Sequence, residues 1–154
     1  MGINASIKQN EIYINNNLSF TINNSHVWFG KERCELLDVF GNVLLNFVVK
    51  HRFLRTTKFD VKQNNINNKY ELVYSNNDLF WNFQGIKYHI RRKCFSVRVD
   101  FFKNGEKIGT TDKKSIRVSY LDIIQFTFTT DNIEEVELCL LLFVIHSVLF
   151  NNDD

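Results

Sequence analysis

The sequence predicts a mainly β protein in which about twelve antiparallel strands close into a barrel around one hydrophobic C-terminal α-helix. Short segments of alternating apolar and polar residues, separated by turn residues, fill most of the chain before residue 132. One later segment is apolar on all sides and must therefore be surrounded by other apolar groups. A closed barrel provides that surrounding, and closure also removes the sheet edges that so many strands would otherwise expose.

The central helix is predicted at residues 132–150. Asn132 can cap it, and Glu135, at the third helical position, is expected to reach back to the backbone of Asn132 in a capping box. The glutamates of the first turn also suit the positive end of the helix dipole. Every residue from 138 to 145 is apolar, so no face of this helix is suited to water.

A lipid bilayer is the alternative surrounding for this helix. Its length of about 27 Å is slightly short of a hydrocarbon core of about 30 Å. Glu137 and His146 interrupt the two ends of the apolar run, and no Lys or Arg follows it as a cytoplasmic anchor. The sequence therefore favours burial of the helix inside the protein.

The rest of the chain is predicted to form strands joined by short turns. Gly41-Asn42 and especially Asn104-Gly105 are two-residue hairpin signals, and residues 63–69 form a polar loop. The predicted strands lie at 12–14, 18–22, 26–30, 34–40, 43–49, 58–62, 70–74, 79–83, 88–90, 95–102, 108–111, 115–119 and 123–129.

Length and composition indicate one domain that spans residues 1–154. A chain of 154 residues with 44% hydrophobic residues can close one sizeable core, and it has no proline and no linker-like segment.

The N-terminus lacks the pattern of a signal peptide, and Cys34, Cys94 and Cys139 are odd in number and widely separated. These features predict a cytoplasmic protein with reduced thiols. Gly2 lies in an M-G-x-x-x-S pattern, which leaves N-myristoylation open.

Charge is distributed unevenly along the chain. All 19 Lys and Arg lie at or before Arg117, where there are 10 acidic residues, and the remainder holds 7 acids and no Lys or Arg. Either the negative charge of the C-terminal part compensates the positive charge of the part before it, or the barrel presents a cationic outer face. Three basic clusters are candidates for binding anionic or lipid groups: Lys50, Arg52, Arg55 and Lys58; Arg91, Arg92 and Lys93; and Lys113, Lys114 and Arg117.

The sequence predicts no catalytic residue, metal site or cofactor. The four histidines lie in no zinc-protease or nucleophile motif, and no two cysteines have zinc-site spacing. His146 is interpreted as a hydrogen-bonded histidine of the core or of the barrel mouth, and Cys139 as a small buried hydrophobic residue. Four aromatic residues near the basic clusters could anchor a membrane interface or stack on bases, but core packing is the simpler interpretation: Phe53, Phe59, Trp81 and Phe95.

Three segments resemble the small LURP-one-related proteins of the tubby C-terminal-like superfamily, to which phospholipid scramblases also belong. They are 38–53 (D-V-F-G-N-V-L-L-N-F-V-V-K-H-R-F), 83–90 (F-Q-G-I-K-Y-H-I) and 131–150. The resemblance implies a twelve-stranded antiparallel barrel around a central hydrophobic helix. The chain departs from the family in its bulky Leu140, Leu142 and Phe143, where family helices are richer in alanine. No phosphoinositide-binding residues or calcium loop can be carried over.

The leading function hypothesis is a non-enzymatic binding or adaptor protein that meets anionic phospholipid headgroups, or a partner protein, through its basic strand ends. One alternative is a scramblase-like lipid-handling protein whose C-terminal helix enters the membrane. Another is an inhibitor of a specific protein partner, such as a toxin-neutralising protein. Nucleic acid ranks below lipid because no RNA-binding or helix-turn-helix motif accompanies the basic residues. No small-molecule ligand is indicated, and the expected location is the cytoplasm, including the membrane periphery.

Overall fold

A computed structural model describes residues 2–27, 31–52, 55–66, 70–75, 78–92, 98–112 and 123–149. The predicted mainly β barrel with a C-terminal helix is confirmed. Its described elements are β1 (Ile3–Lys8), β2 (Glu11–Ile14), β3 (Asn17–Val27), β4 (Lys31–Leu37), β5 (Val43–Arg52), β6 (Arg55–Asn64), β7 (Glu71–Ser75), β8 (Asp78–Phe83), β9 (Ile86–Arg92), β10 (Val99–Lys103), β11 (Glu106–Thr111), β12 (Ile123–Phe128) and α1 (Ile133–Leu149). The strand predicted at 115–119 lies outside the described residues.

All twelve described strands belong to one antiparallel sheet, and strand β1 pairs with β12. The order is β6-β5-β4-β3-β2-β1-β12-β11-β10-β9-β8-β7. Strands β6 and β7 are therefore its two ends, and within the described part of the chain no backbone ladder joins them. Side chains do meet there, since the rings of Phe59 on β6 and Tyr74 on β7 lie 5.8 Å apart edge to face. The barrel is nearly closed, with a seam between β6 and β7.

The two ends of the barrel can be defined from the chain direction. Because neighbouring strands are antiparallel, all odd-numbered strands run one way and all even-numbered strands the other. The proximal end is the one at which β12 ends and α1 begins; it also holds the starts of the odd-numbered strands. The distal end holds the starts of the even-numbered strands, including Lys31, and the ends of β5 and β9.

Helix α1 is enclosed by the strands. Alternate residues of the strands face inward, as Leu45, Phe47 and Val49 on β5 show by being fully buried. Residues 138–145 of the helix are all buried, and eight successive residues cover more than two helical turns, so apolar groups contact every side. Among the described residues, no helix has the length and hydropathy that crossing a bilayer requires.

Turn residues at the proximal end have the backbone conformations that tight hairpins need. Asn104 and Gly105 have φ values of 48° and 84°, which confirms the predicted hairpin between β10 and β11. Asn15 and Asn16 likewise have positive φ between β2 and β3, a conformation that asparagine tolerates. The asparagine run therefore serves as a turn.

Strand β1 was not predicted, and it accounts for the glycine at position 2. Ile3, Ala5 and Ile7 are buried on one face of β1, but small and polar residues between them weaken the alternation. A Cβ on Gly2 would lie 2.0 Å from the carbonyl oxygen of Phe128 on the neighbouring strand. Glycine is therefore required at this position by backbone packing, whether or not it is acylated.

The start of α1 is capped differently from the predicted capping box. The Asn132 side chain accepts a hydrogen bond from the Glu134 backbone at 3.0 Å, as expected of a cap. The Asn132 backbone N–H, however, donates to the Thr130 hydroxyl at 3.1 Å. The capping-box prediction for Glu135 is wrong, because stronger partners on the barrel wall bind this carboxylate.

Glu135 is buried and fixes the helix to the barrel wall. Its carboxylate accepts hydrogen bonds from Tyr88 at 2.9 Å and from Thr130 at 2.8 Å, and it forms an ion pair with Lys103. Deeper in the barrel, the Trp81 indole donates to the Leu138 carbonyl at 3.1 Å. Because the helix is apolar on every side, these polar bonds determine its rotation and depth.

The Glu135 contacts lead to a prediction about acid stability. Burial alone would raise the pKa of Glu135, but the hydrogen bonds from Lys103, Thr130 and Tyr88 outweigh it and hold the pKa below its ordinary value. A depressed folded-state pKa stabilises the fold above the ordinary pKa of 4.5 and loses this effect as the pH falls through the folded-state value. Glu135→Gln is expected to cost about 1 to 2 kcal/mol at neutral pH, since Lys103 is partly exposed.

Thermal melting between neutral and acid pH would test this prediction. The deficit of Glu135→Gln relative to wild type should shrink as the pH falls, because the wild-type carboxylate is then protonated. Glu71→Gln is the control, since Glu71 is exposed on β7. A deficit that stays constant down to acid pH would contradict the prediction.

Candidate anion-binding surface

Three lysines form a row across three adjacent strands near the distal end. Lys50 on β5 is paired directly with Lys31 on β4 and with Lys58 on β6. All three alternate with inward residues, so they face outward; Lys31 and Lys58 are exposed and Lys50 is half-buried. We call Lys31, Lys50 and Lys58 the lysine row.

The lysine row is not neutralised by neighbouring acids. No described carboxylate forms an ion pair with any of its members. The two nearest acids in the sequence have other partners: Asp60 pairs with Lys62, and Glu32 lies 3.8 Å from His51. Like charges directly opposite each other destabilise a sheet, so this arrangement favours an anion from outside the chain.

Edge protection explains only part of this row. Strand β6 lies at the seam, and lysines on edge strands discourage pairing with other chains. That reason fits Lys58 and Lys62. It does not fit Lys31 or Lys50, which lie on strands with partners on both sides.

Further basic residues lie near the row at the same end of the barrel. Arg33 is exposed on β4 two residues from Lys31, on the same face. The backbone register pairs Arg52 with Arg55, next to the pairing of Lys50 with Lys58. The structure thus brings together the four residues of the first predicted cluster. Sequence reasoning missed Lys31 and Arg33, because their proximity to this cluster depends on strand pairing.

The second predicted cluster is at the distal end but separate from the lysine row. Arg91 and Arg92 end strand β9, with β7 and β8 between them and the seam. Arg91 is exposed, lies 5.1 Å above the Phe102 ring and is paired in register with Asp100, whereas Arg92 is half-buried. The remaining candidates lie outside the described residues: Lys93, Lys113, Lys114 and Arg117.

Cys34, Cys139 and His89 occupy packed positions. Cys34 and Cys139 are fully buried, and burial raises the pKa of Cys34 to about 12 and that of Cys139 above its ordinary value as well. His89 stacks on Phe102 at 5.0 Å, and burial, aided by Lys87, lowers its pKa. His146 is half-buried in the last turn of α1. Among the described residues, no three His, Cys, Asp or Glu side chains are placed to hold a metal ion.

The aromatic residues named near the basic clusters are packed into the core where they are described. Trp81 is fully buried, and Phe59 is partly buried against Phe47 with ring centroids 5.4 Å apart. Phe53 and Phe95 lie outside the described residues. Neither described ring is therefore placed to anchor a membrane or to stack on a base.

Comparison with protein-family models, curated proteins and solved structures found no match. The lysine row is therefore interpreted from its own geometry and charge.

Proposed function

We propose that this protein is a non-enzymatic binding module that docks its distal end on an anionic phospholipid surface. The observation that carries the proposal is the lysine row, in which three outward lysines on adjacent strands form no ion pair with any carboxylate that the structure describes. Each basic residue near an anionic membrane surface contributes roughly 1 kcal/mol to binding. Arg33 extends the same face, so the contributions of several residues add at one end of a rigid barrel.

The spacing of the row suits a surface with repeated negative charges. Adjacent strands are about 4.8 Å apart, so the outer two lysines are anchored roughly 10 Å from each other. A row of this width can contact more than one anionic lipid headgroup at the same time. The resemblance to tubby-like proteins and scramblases is consistent with a lipid partner, and the proposed location is the cytoplasmic periphery of a membrane.

Surface docking is favoured over entry of the helix into the bilayer. Helix α1 has twelve buried residues, and moving it into a membrane would expose the apolar barrel interior to water at about 1.5 to 3 kcal/mol for each large side chain. A partner protein or a nucleic acid would use the same positive charges, so either becomes an outcome of the test below.

Binding to vesicles with and without phosphatidylserine in phosphatidylcholine would test the proposal. Lys50→Gln/Lys58→Gln should weaken binding to the anionic vesicles by about thirtyfold, which corresponds to roughly 2 kcal/mol. The matched control is Lys62→Gln/Lys87→Gln, which changes net charge equally but removes lysines that are paired with Asp60 and Asp78. Added salt should weaken wild-type binding.

Several results would overturn the proposal. Equal losses in the two double variants would mean that only net charge matters. Wild-type binding that does not depend on phosphatidylserine would exclude headgroup charge as the determinant. Absence of vesicle binding together with tight binding to single-stranded RNA or to an acidic protein would assign the row to another partner.

A further inference from the structure

The proximal end of the barrel carries the exposed large hydrophobic residues of the described chain. Phe40 is 86% exposed, Ile133 52%, Val39 50% and Leu18 39%. Ile133 begins α1, and Val39 and Phe40 form the turn between β4 and β5. Leu18 lies near this turn because β3 and β4 are paired. Thr21 on β3 is opposite Leu37 on β4. Moving three residues from each toward the proximal end leads to Leu18 on β3 and to Phe40 in the turn. Their gathering at one end distinguishes them from scattered surface hydrophobics.

The turn that presents Val39 and Phe40 is held rigidly by Asp38. One carboxylate oxygen of Asp38 accepts hydrogen bonds from the backbone N–H of Phe40 at 2.9 Å and of Asn42 at 2.8 Å, and the other accepts one from the Asn42 side chain at 3.0 Å. Backbone bonds from Asp38 to Asn42 at 2.9 Å and from Gly41 to Asp38 at 3.1 Å complete the turn. Gly41 supplies the required positive φ of 82°.

This rigidity makes the turn suitable as an anchor. Positions at the tip of such a turn are usually polar. A phenylalanine side chain that is exposed to water there adds nothing to the stability of the fold. An aromatic residue that is fixed before binding loses little conformational entropy when it enters a pocket. Aromatic anchors in well-packed pockets dominate the energy of many protein interfaces.

The charges near the tip select the kind of partner. Residues 15–24 and 34–49 contain no Lys or Arg. Asp38 belongs to the turn itself, and Glu35 lies on β4 three residues before it. Lys62, at the level of Glu35 on β6, is paired with Asp60. An anionic bilayer would be repelled here, since membrane-inserting tips rely on neighbouring cations. A protein with an apolar pocket and a basic rim is complementary in both respects.

We infer that the Val39-Phe40 tip is a docking anchor for a folded protein that presents an apolar pocket rimmed by Lys or Arg. The tip and the lysine row lie at opposite ends of β5, about 7 to 10 residues apart along the chain and therefore roughly 25 Å apart. One barrel can thus hold two partners at once, as an adaptor does. The inference rests on the tip alone and does not depend on lipid binding by the row.

Site-specific photo-crosslinking of the full chain in its native cells would test this inference. p-Benzoylphenylalanine would replace Phe40 and, as an aromatic control near the distal end, Phe80, which is half-buried on the outer face of β8. One protein should be crosslinked from position 40 and not from position 80. After purification it should bind the wild type, bind Phe40→Ala at least tenfold more weakly, and bind less tightly at high salt.

The controls separate binding from folding. Phe40→Ala should melt at the wild-type temperature, because an exposed side chain contributes little to stability, and it should bind anionic vesicles like the wild type. The inference is overturned if position 40 yields no protein adduct, if both positions yield the same adducts, or if the purified partner binds Phe40→Ala as tightly as wild type. A lipid adduct from position 40 would show that the tip faces a membrane instead.

Discussion

A chain cut after Asp131 is expected to lose cooperative folding altogether. The cut removes α1, whose buried side chains fill the centre of the barrel. The strands would then enclose a cavity lined by large apolar groups, among them Trp81, Phe47 and Phe101, which are fully buried in the intact protein. Removing even one buried leucine side chain typically costs 2 to 5 kcal/mol, of a total stability of about 5 to 15 kcal/mol. The remaining strands cannot compensate for the loss of the whole helix.

Thermal melting in detergent-free buffer, followed by tryptophan fluorescence, would check this prediction. Leu141→Ala in the full chain should lower stability by about 2 to 5 kcal/mol, since Leu141 is buried. Ile133→Ala, on the exposed first turn of the same helix, should cost much less. A truncated chain that stays dispersed and melts cooperatively would show that the helix is not the core and would revive the membrane alternative.

Gly109→Ala is expected to destabilise the fold strongly although it adds only one methyl group. A Cβ at this position would lie 2.3 Å from Cδ1 and 2.6 Å from Cε1 of Phe128 on the adjacent strand β12. The Phe128 ring is fully buried and packs against Phe101 at 5.2 Å and Phe126 at 6.4 Å, so it has no room to move away. Overpacking of this kind typically costs about 1 to 3 kcal/mol.

A double-mutant cycle would separate this clash from an effect of the backbone. Phe128→Leu removes ring atoms next to position 109, so Gly109→Ala should cost clearly less in that background than in the wild type. For a chain of this size each kcal/mol lowers the melting temperature by about 2 to 4 °C, which is readily measured. Equal costs in both backgrounds would mean that the Phe128 ring is not the obstacle.

The fold was predictable from the sequence because its two signals are strong and local. Residues 138–145 are apolar without interruption, and alternation marks most of the strands. Strand β1 was missed because alanine, serine and asparagine dilute its alternation. The role of Glu135 was also missed: a local rule assigned it to a cap, whereas Tyr88 and Lys103, distant in sequence, bind it.

The candidate surface was predictable only in part, because it depends on register. Clusters of adjacent basic residues can be found by inspection, and they led to Lys50 and Lys58. The pairing of Lys31 with Lys50 joins residues 19 positions apart, and no local pattern predicts it. Arg91 and Arg92 were also found as adjacent basic residues, but the strand order separates them from the row.

The strand order has a consequence for how the barrel forms. Strands β1–β6 and β7–β12 are each a run of consecutively paired antiparallel strands, and among the described strands only the β1–β12 ladder pairs strands distant in sequence. Local hairpins form quickly, whereas contacts between distant segments are slow because loop closure costs entropy. No described backbone ladder joins β6 to β7, and side chains bridge the seam between them. The sheet can therefore close around α1 from both sides, and the helix need not insert into a barrel that has already closed. We therefore expect β12 and α1 to complete the barrel wall and its interior in one late step of folding.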